Sequence, residues 1–273
     1  MFVDKVFWDI SPYREYPIFS RYNDLFYNQL KISNPYILLA VLLLPFIFLV
    51  IFLQSFLLPI FGSIIEVIIS CLLLIFCLGP SELGRDINRY MDAKESGDQQ
   101  KIEKIAHKFN DVIYSDNYDR AIIDGIFWSI CHRLIAPIFW FLIIGIAGAM
   151  VYRFIEIIYQ ETEKTDCESK IYKLLASVFY ILNWVPARVT VIGYAVIGNF
   201  DSVIEVWKNL GEQSTKTDLP DDKNFLINAG YAASHQSIEK NKHYQLDTAI
   251  SMIWRNLTLW IFFVGILSLF EKL

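Results

Sequence analysis

The chain has 273 residues, 55% of them hydrophobic, with a mean hydropathy of +0.38; soluble domains are nearer about 45–50% apolar. Its formal net charge is −5 and its basic residues are interspersed with acids, which excludes a phosphate-tracking nucleic-acid surface. The apolar excess comes in blocks, the mark of an all-α membrane protein with four to five transmembrane helices and the lipid bilayer as its first partner.

Residues 1–34 mix Asp4, Lys5, Asp9, Arg14, Glu15 and Arg21 with many aromatics. They lack the apolar core of a secretory signal, so the first apolar run is expected to stay as an anchor. Residues 36–58 carry no charge and exceed the roughly 20 residues that cross about 30 Å of hydrocarbon, with Pro45 as an expected kink. Residues 61–78 form the second run, interrupted only by Glu66, and the Pro59–Ile60 link makes 35–78 a transmembrane hairpin.

Residues 79–133 are polar and read as a helical region in the cytoplasm. Ile87, Tyr90 and Met91 recur at helical spacing, as do Ile102, Ile105 and Phe109. Between them Gly97 suits a helix end and Asp98 the next cap. The region 134–199 holds two more expected spans, about 134–158 and 171–197. In the first, Gly145-Ile-Ala-Gly-Ala149 lets another helix approach. The second carries Asn183, Pro186 and Arg188 centrally, so a re-entrant loop there is the alternative to a full crossing. A second cytoplasmic region, 200–251, precedes a C-terminal transmembrane helix in 252–273. Lysines and arginines cluster in 1–34, 79–133 and 199–250, which places all three in the cytoplasm of a multi-pass protein of the bacterial inner membrane.

Charges inside apolar runs are costly, about 2.5–3.5 kcal/mol at the bilayer centre, so Glu66, Arg153, Glu156 and Arg188 should face protein or water. Arg153 and Glu156, three apart, can pair. Pro186 removes a backbone donor and frees a carbonyl that Asn183 can serve, and Arg188 offers a fork for phosphate or carboxylate. Tyr152, Arg153, Glu156, Asn183, Trp184 and Arg188 therefore make a ligand-binding set for an anionic small molecule. The bland alternative is a proline kink with Arg188 paired to Glu66 or Glu156.

Other chemistry is not indicated. Cys71, Cys77, Cys131 and Cys167 form no CxxC pair. His107, His132, His235 and His243 lack metal spacing, Gly79–Gly84 is followed by Arg85 rather than a Walker lysine, and Asn256-Leu-Thr258 is a glycosylation sequon inside an apolar run. No resident metal or cofactor is expected. The aromatics around Trp8, Trp128 and Trp140 read as interfacial belts.

His132-Arg-Leu-Ile-Ala-Pro-Ile-Phe-Trp140, Gly145-Ile-Ala-Gly-Ala-Met-Val-Tyr-Arg153 and Asn183-Trp-Val-Pro-Ala-Arg188 form an ordered set. The set resembles the AmpE family and, more distantly, the adenosylcobinamide-phosphate synthases of the CobD/CbiB family. Gly198-Asn-Phe-Asp201, Asn228-Ala-Gly230 and Ile253-Trp-Arg-Asn-Leu-Thr-Leu-Trp260 continue the likeness, which spans about 79–270. The cobalamin enzymes have an Asn-(Thr/Leu)-Ser-Asp-Gly stretch where this chain reads Ser129-Ile-Cys-His-Arg133, with Asp124-Gly125 a little earlier, and their Asn-Glu-Arg-Tyr loop is replaced by 161–168.

Those departures favour AmpE. The likeness then implies a signalling modulator of β-lactamase induction that senses cell-wall recycling, more a regulator than an enzyme, with a homo-oligomer or membrane partner. The alternative it implies is a membrane-bound, ATP-dependent amide ligase related to cobalamin biosynthesis. In it Arg153 and Arg188 would clamp phosphate, and Asp124 or Glu156 would bind magnesium. A small transporter ranks last, because few charges are available to line a path.

Overall fold

The computed structural model describes residues 34–57, 63–78, 82–109, 118–165, 169–213, 222–234 and 246–270. Trp8 and the rest of the N-terminal segment, the Pro59–Ile60 turn, Cys167, His235 and His243 lie outside the described residues, as does the Glu66 side chain. Among the described residues every regular element is helical. In order they are α1 (Pro35–Phe52, continued by a π-helical turn Leu53–Leu57), α2 (Ser63–Cys77), α3 (Glu82–Ser96), α4 (Gln99–Phe109) and α5 (Tyr118–Ile130, continued by a π-helical turn Cys131–Ile135). There follow α6 (Ala136–Ile144), α7 (Ile146–Thr165), α8 (Lys170–Ile197), α9 (Phe200–Gln213), α10 (Asp222–Ala233) and α11 (Leu246–Phe270).

Among the described residues three stretches are long and apolar enough to cross a bilayer: Tyr36–Phe56, Tyr118–Ile144 and Lys170–Ile197. Phe48, Ile181 and Phe262 are exposed by 74%, 67% and 69%, a surface that suits lipid and not water. The chain is an all-α membrane protein. The 61–78 run gives a shorter apolar helix, Ile68–Cys77 within α2, and 252–270 falls within α11. The expected span 171–197 falls within one continuous 28-residue helix, Lys170–Ile197, about 42 Å long at 1.5 Å per residue, so the re-entrant alternative is set aside.

The expected third span, 134–158, is corrected. The apolar helix begins upstream at Tyr118 and ends at Ile144, and Gly145 breaks it with φ +81°. An L side chain is strained in that left-handed conformation and glycine is not. Gln54 holds both sides of the break: its Nε2 donates to the Ile144 carbonyl at 3.1 Å, and its Oε1 accepts from the Ala147 amide at 2.7 Å. The close approach expected from this glycine-rich stretch belongs to Gly148, where an added Cβ would lie 2.4 Å from the Trp140 carbonyl.

The chain divides into two compact units, Met1–Ser81 with Ala136–Asn183, and Glu82–Ile135 with Trp184–Leu273. In the first, Leu38, Leu39 and Leu42 of α1 pack on Phe154 and Ile158 of α7 and Leu175 of α8. Phe46 and Phe154 stack there at 4.0 Å. In the second, α5 is central. Ile122, Ile126, Phe127 and Ile130 are buried with Tyr90, Val191, Tyr194, Phe225 and Met252.

The polar hairpin in 82–109 forms as its spacing predicts. Gly97 (φ +69°) ends α3, its amide reaching the Lys94 carbonyl, and Asp98 caps α4 by accepting the Lys101 amide at 3.2 Å. Lys101 Nζ also lies 2.8 Å from Asp98, and these bonds hold the Asp98 carboxyl below its ordinary value. Tyr90 donates to Asp119 at 2.7 Å, and Lys94 Nζ bonds both Asp119 oxygens. Burial first, then the Asp119 bond, push the Tyr90 phenol well above its usual range.

Candidate functional site

The six residues singled out from the sequence fall in the two units, and each group is built by its own helices. In the first unit Tyr152, Arg153 and Glu156 project from α7 and Asn183 from α8. Tyr152 donates to Asn183 Oδ1 at 2.8 Å, and Asn183 Nδ2 returns to the Phe179 carbonyl one turn back at 2.9 Å. Arg153 pairs with Glu156 through Nη1, and Gln160 donates to the other Glu156 oxygen at 3.2 Å. Arg153 is 7% exposed and Glu156 fully buried. This pair is therefore held by protein and does not snorkel, as the cost of an isolated membrane charge requires.

Asn183 does not serve the carbonyl that Pro186 leaves open. That carbonyl belongs to Leu182, four residues back, and the Trp140 indole N–H donates to it at 3.1 Å. The expectation that Asn183 fills this role is corrected: its amide is spent on Phe179.

In the second unit Arg188 of α8 meets Asp222 at the start of α10, Nη1 to Oδ1, at 2.6 Å. This replaces the expected pairing with Glu66 or Glu156. Arg188 Nη1 also donates to the Trp184 carbonyl at 2.9 Å, and its guanidinium lies 4.4 Å from the Trp184 ring centre and 5.5 Å from that of Phe225. A planar, weakly hydrated cation gains on such aromatic faces. Among the described residues Arg188 donates through Nη1 alone, so Nε and Nη2 keep donors for an anion.

Asp124 of α5 accepts from Tyr231 of α10 at 2.8 Å, and Arg120 Nε lies 3.9 Å from it. Neither Asp222 nor Tyr231 stood out in the sequence. Asp222 is an acidic residue in the first turn of a helix, a common placement that carries no hint of a partner 34 positions earlier.

The remaining candidates are structural. His132 is buried, with Nδ1–H donating to the Trp128 carbonyl at 2.8 Å, and His107 is exposed. Trp128 lies against the buried core around α5. Asn256 is fully buried and donates to the Thr190 carbonyl at 3.2 Å, so its sequon cannot present to a glycosyl carrier. Cys131 and Cys77 are buried free thiols.

Magnesium was tied to Asp124 or Glu156. Among the described residues no three His, Cys, Asp or Glu side chains converge, and both carboxylates are already engaged. A magnesium ion carried by a nucleotide needs only one or two protein carboxylates.

The family model described as CobD/Cbib protein matches residues 17–251. The cobalamin biosynthesis protein CobD of Dehalococcoides mccartyi (strain CBDB1) is 24% identical over 218 residues, which cover 78% of this chain and 69% of that protein. No solved structure matches the chain. These findings overturn the AmpE assignment and the β-lactamase signalling role expected with it, because neither match supports them. The departures at 129–133 and 161–168 are local, whereas the match runs through most of the sequence. This chain belongs to the CobD/CbiB family.

Proposed function

We propose that this protein is a membrane-bound enzyme of cobalamin biosynthesis, an ATP-dependent amide ligase that acts on a corrinoid carboxylate. The observation that carries the reading is the family match over residues 17–251. The geometry of the second unit supports it. Arg188 sits between aromatic faces with donors to spare, the arrangement for holding a phosphate or carboxylate. Asp222 keeps that guanidinium in place until the anion arrives.

Asp124-Gly125 stands a little before the place of the family's Asp-Gly stretch, and Tyr231 orients the Asp124 carboxylate. ATP is the energy source and arrives with magnesium. The protein's part is to position the reacting groups and to balance their charge. In the cell the enzyme sits in the bacterial inner membrane as a multi-pass protein, with its polar helical regions in the cytoplasm.

The test is turnover. Protein purified in detergent, given MgATP, a corrinoid acid and a phosphorylated amino alcohol, should form the amide with release of ADP or AMP, followed by mass spectrometry. The same gene should restore cobalamin formation to a strain lacking this step. Failure of both, with folded protein, overturns the proposal.

A further inference from the structure

The last two turns of α8 and the facing side of α9 enclose a groove of about 400 Å³. Its walls are almost wholly apolar: Val191 and Ala195 from α8, and Phe200, Val203 and Trp207 from α9. Lys208 is the single charged residue on its rim. The lining residues of α9 recur at three- and four-residue steps, so one stripe of that helix faces the groove. Asp201 and Glu205 are exposed on α9 outside this stripe. Among the described residues Lys208 is engaged by no hydrogen bond or ion pair, and it is exposed.

The groove opens onto the apolar face of a spanning helix. Ile192, one turn beyond Arg188 on α8, is exposed by 48%. Val196 and Phe200 extend the same surface into the groove at 62% and 58% exposure. A water-soluble polar ligand would find one cation and no other polar group here. A lipid chain entering past Ile192 and Val196 meets the apolar lining of the groove and ends beside an ammonium.

We propose that this groove holds one acyl chain of an anionic phospholipid, with the lipid phosphate on Lys208. The proposal does not depend on the reaction assigned to the protein. Its occupant fixes α9 against the end of the spanning helix.

The test uses the full chain in nanodiscs of phosphatidylcholine doped with phosphatidylglycerol bearing a diazirine in its acyl chain. Photo-crosslinks should map to peptides covering 191–208. Native mass spectrometry should show phosphatidylglycerol retained over phosphatidylcholine, and Lys208→Gln should lower that preference about fivefold, the effect of one cation near an anionic headgroup. Val196→Trp, which fills the mouth of the groove from an exposed position, should cut crosslinking without lowering the unfolding temperature. Inorganic phosphate at millimolar concentration should not displace the lipid. Crosslinks confined to other helices overturn the proposal, as does equal retention of both lipids by the unaltered protein. Displacement by phosphate, or crosslinks to a second copy of the chain at 191–208, overturns it too.

Discussion

The Trp140 indole N–H donates to the Leu182 carbonyl at 3.1 Å, the carbonyl that Pro186 cannot serve. One bond thus ties the Ala-Pro-Ile-Phe-Trp140 motif to the residue just before Asn183-Trp-Val-Pro-Ala-Arg188. The proline opens α8 and the tryptophan closes the gap.

Replacing Trp140 by Phe keeps most of the ring and removes only the donor. A carbonyl left unserved at membrane depth costs about 1–3 kcal/mol. W140F should therefore lower the unfolding temperature in detergent, and the loss should vanish when Pro186→Ala restores the missing amide. If W140F unfolds like the parent, the bond contributes nothing.

Arg188 and Asp222 are a largely buried pair, with side chains 14% and 4% exposed. Removing one partner strands the other charge, at about 3–5 kcal/mol. Arg188→Met alone should destabilise strongly, Asp222→Asn less because an amide still accepts, and the double variant less than the sum of the two. A double-mutant cycle by chemical denaturation measures the difference. Additive losses would show the two to be uncoupled. Under the proposed activity, both single variants should also abolish turnover.

Gly145 adopts φ +81° and an added Cβ would lie 2.7 Å from Gln54 Nε2. Gly145→Ala therefore strains the backbone by about 1–2 kcal/mol and displaces the Gln54 clasp. The loss should be smaller when measured in a Gln54→Ala background, where the clasp is already gone. Equal losses in both backgrounds would mean that Gln54 does not feel the new methyl group.

The Asp98 carboxyl is held below its ordinary value of 3.8, first by the Lys101 side chain and then by the Lys101 amide. Its folded value lies under its unfolded one. The cap's contribution is thus present above the unfolded value and is lost as pH falls through the lower, folded value. The Lys101 amide resonance should shift in that acidic window and stay fixed from pH 5 to 8. Asp98→Asn should keep the cap and remove the shift. A midpoint at or above the ordinary value would contradict the geometry.

Much of the fold is legible because hydropathy and helical periodicity are local. The apolar runs at 36–58 and 171–197, the buried face of Ile87, Tyr90 and Met91, and the Gly97–Asp98 junction all follow from neighbours a few residues apart. The break at Gly145 was hidden because Gly145-Ile-Ala-Gly has the composition of a span, and its clasp comes from Gln54, 90 positions before Ile144. The partners of Arg188 and Asp124 were hidden for the same reason. A charge shows in sequence, but the opposite charge that answers it is a tertiary fact. Family likeness had the opposite weakness. Local departures at 129–133 outweighed a similarity spread thinly along most of the chain.

The two units interleave along the polypeptide, each assembled from two separated stretches. Synthesis therefore cannot finish one before starting the other. When residues 82–135 leave the ribosome, the segments that cover Ile122 and Phe127 are still untranslated, and those side chains must wait through the insertion of α6, α7 and most of α8. A chain stopped near residue 183 would carry the whole first unit beside an uncovered fragment of the second. Such products are ready substrates for membrane proteases, so premature termination late in the gene should leave little protein to detect.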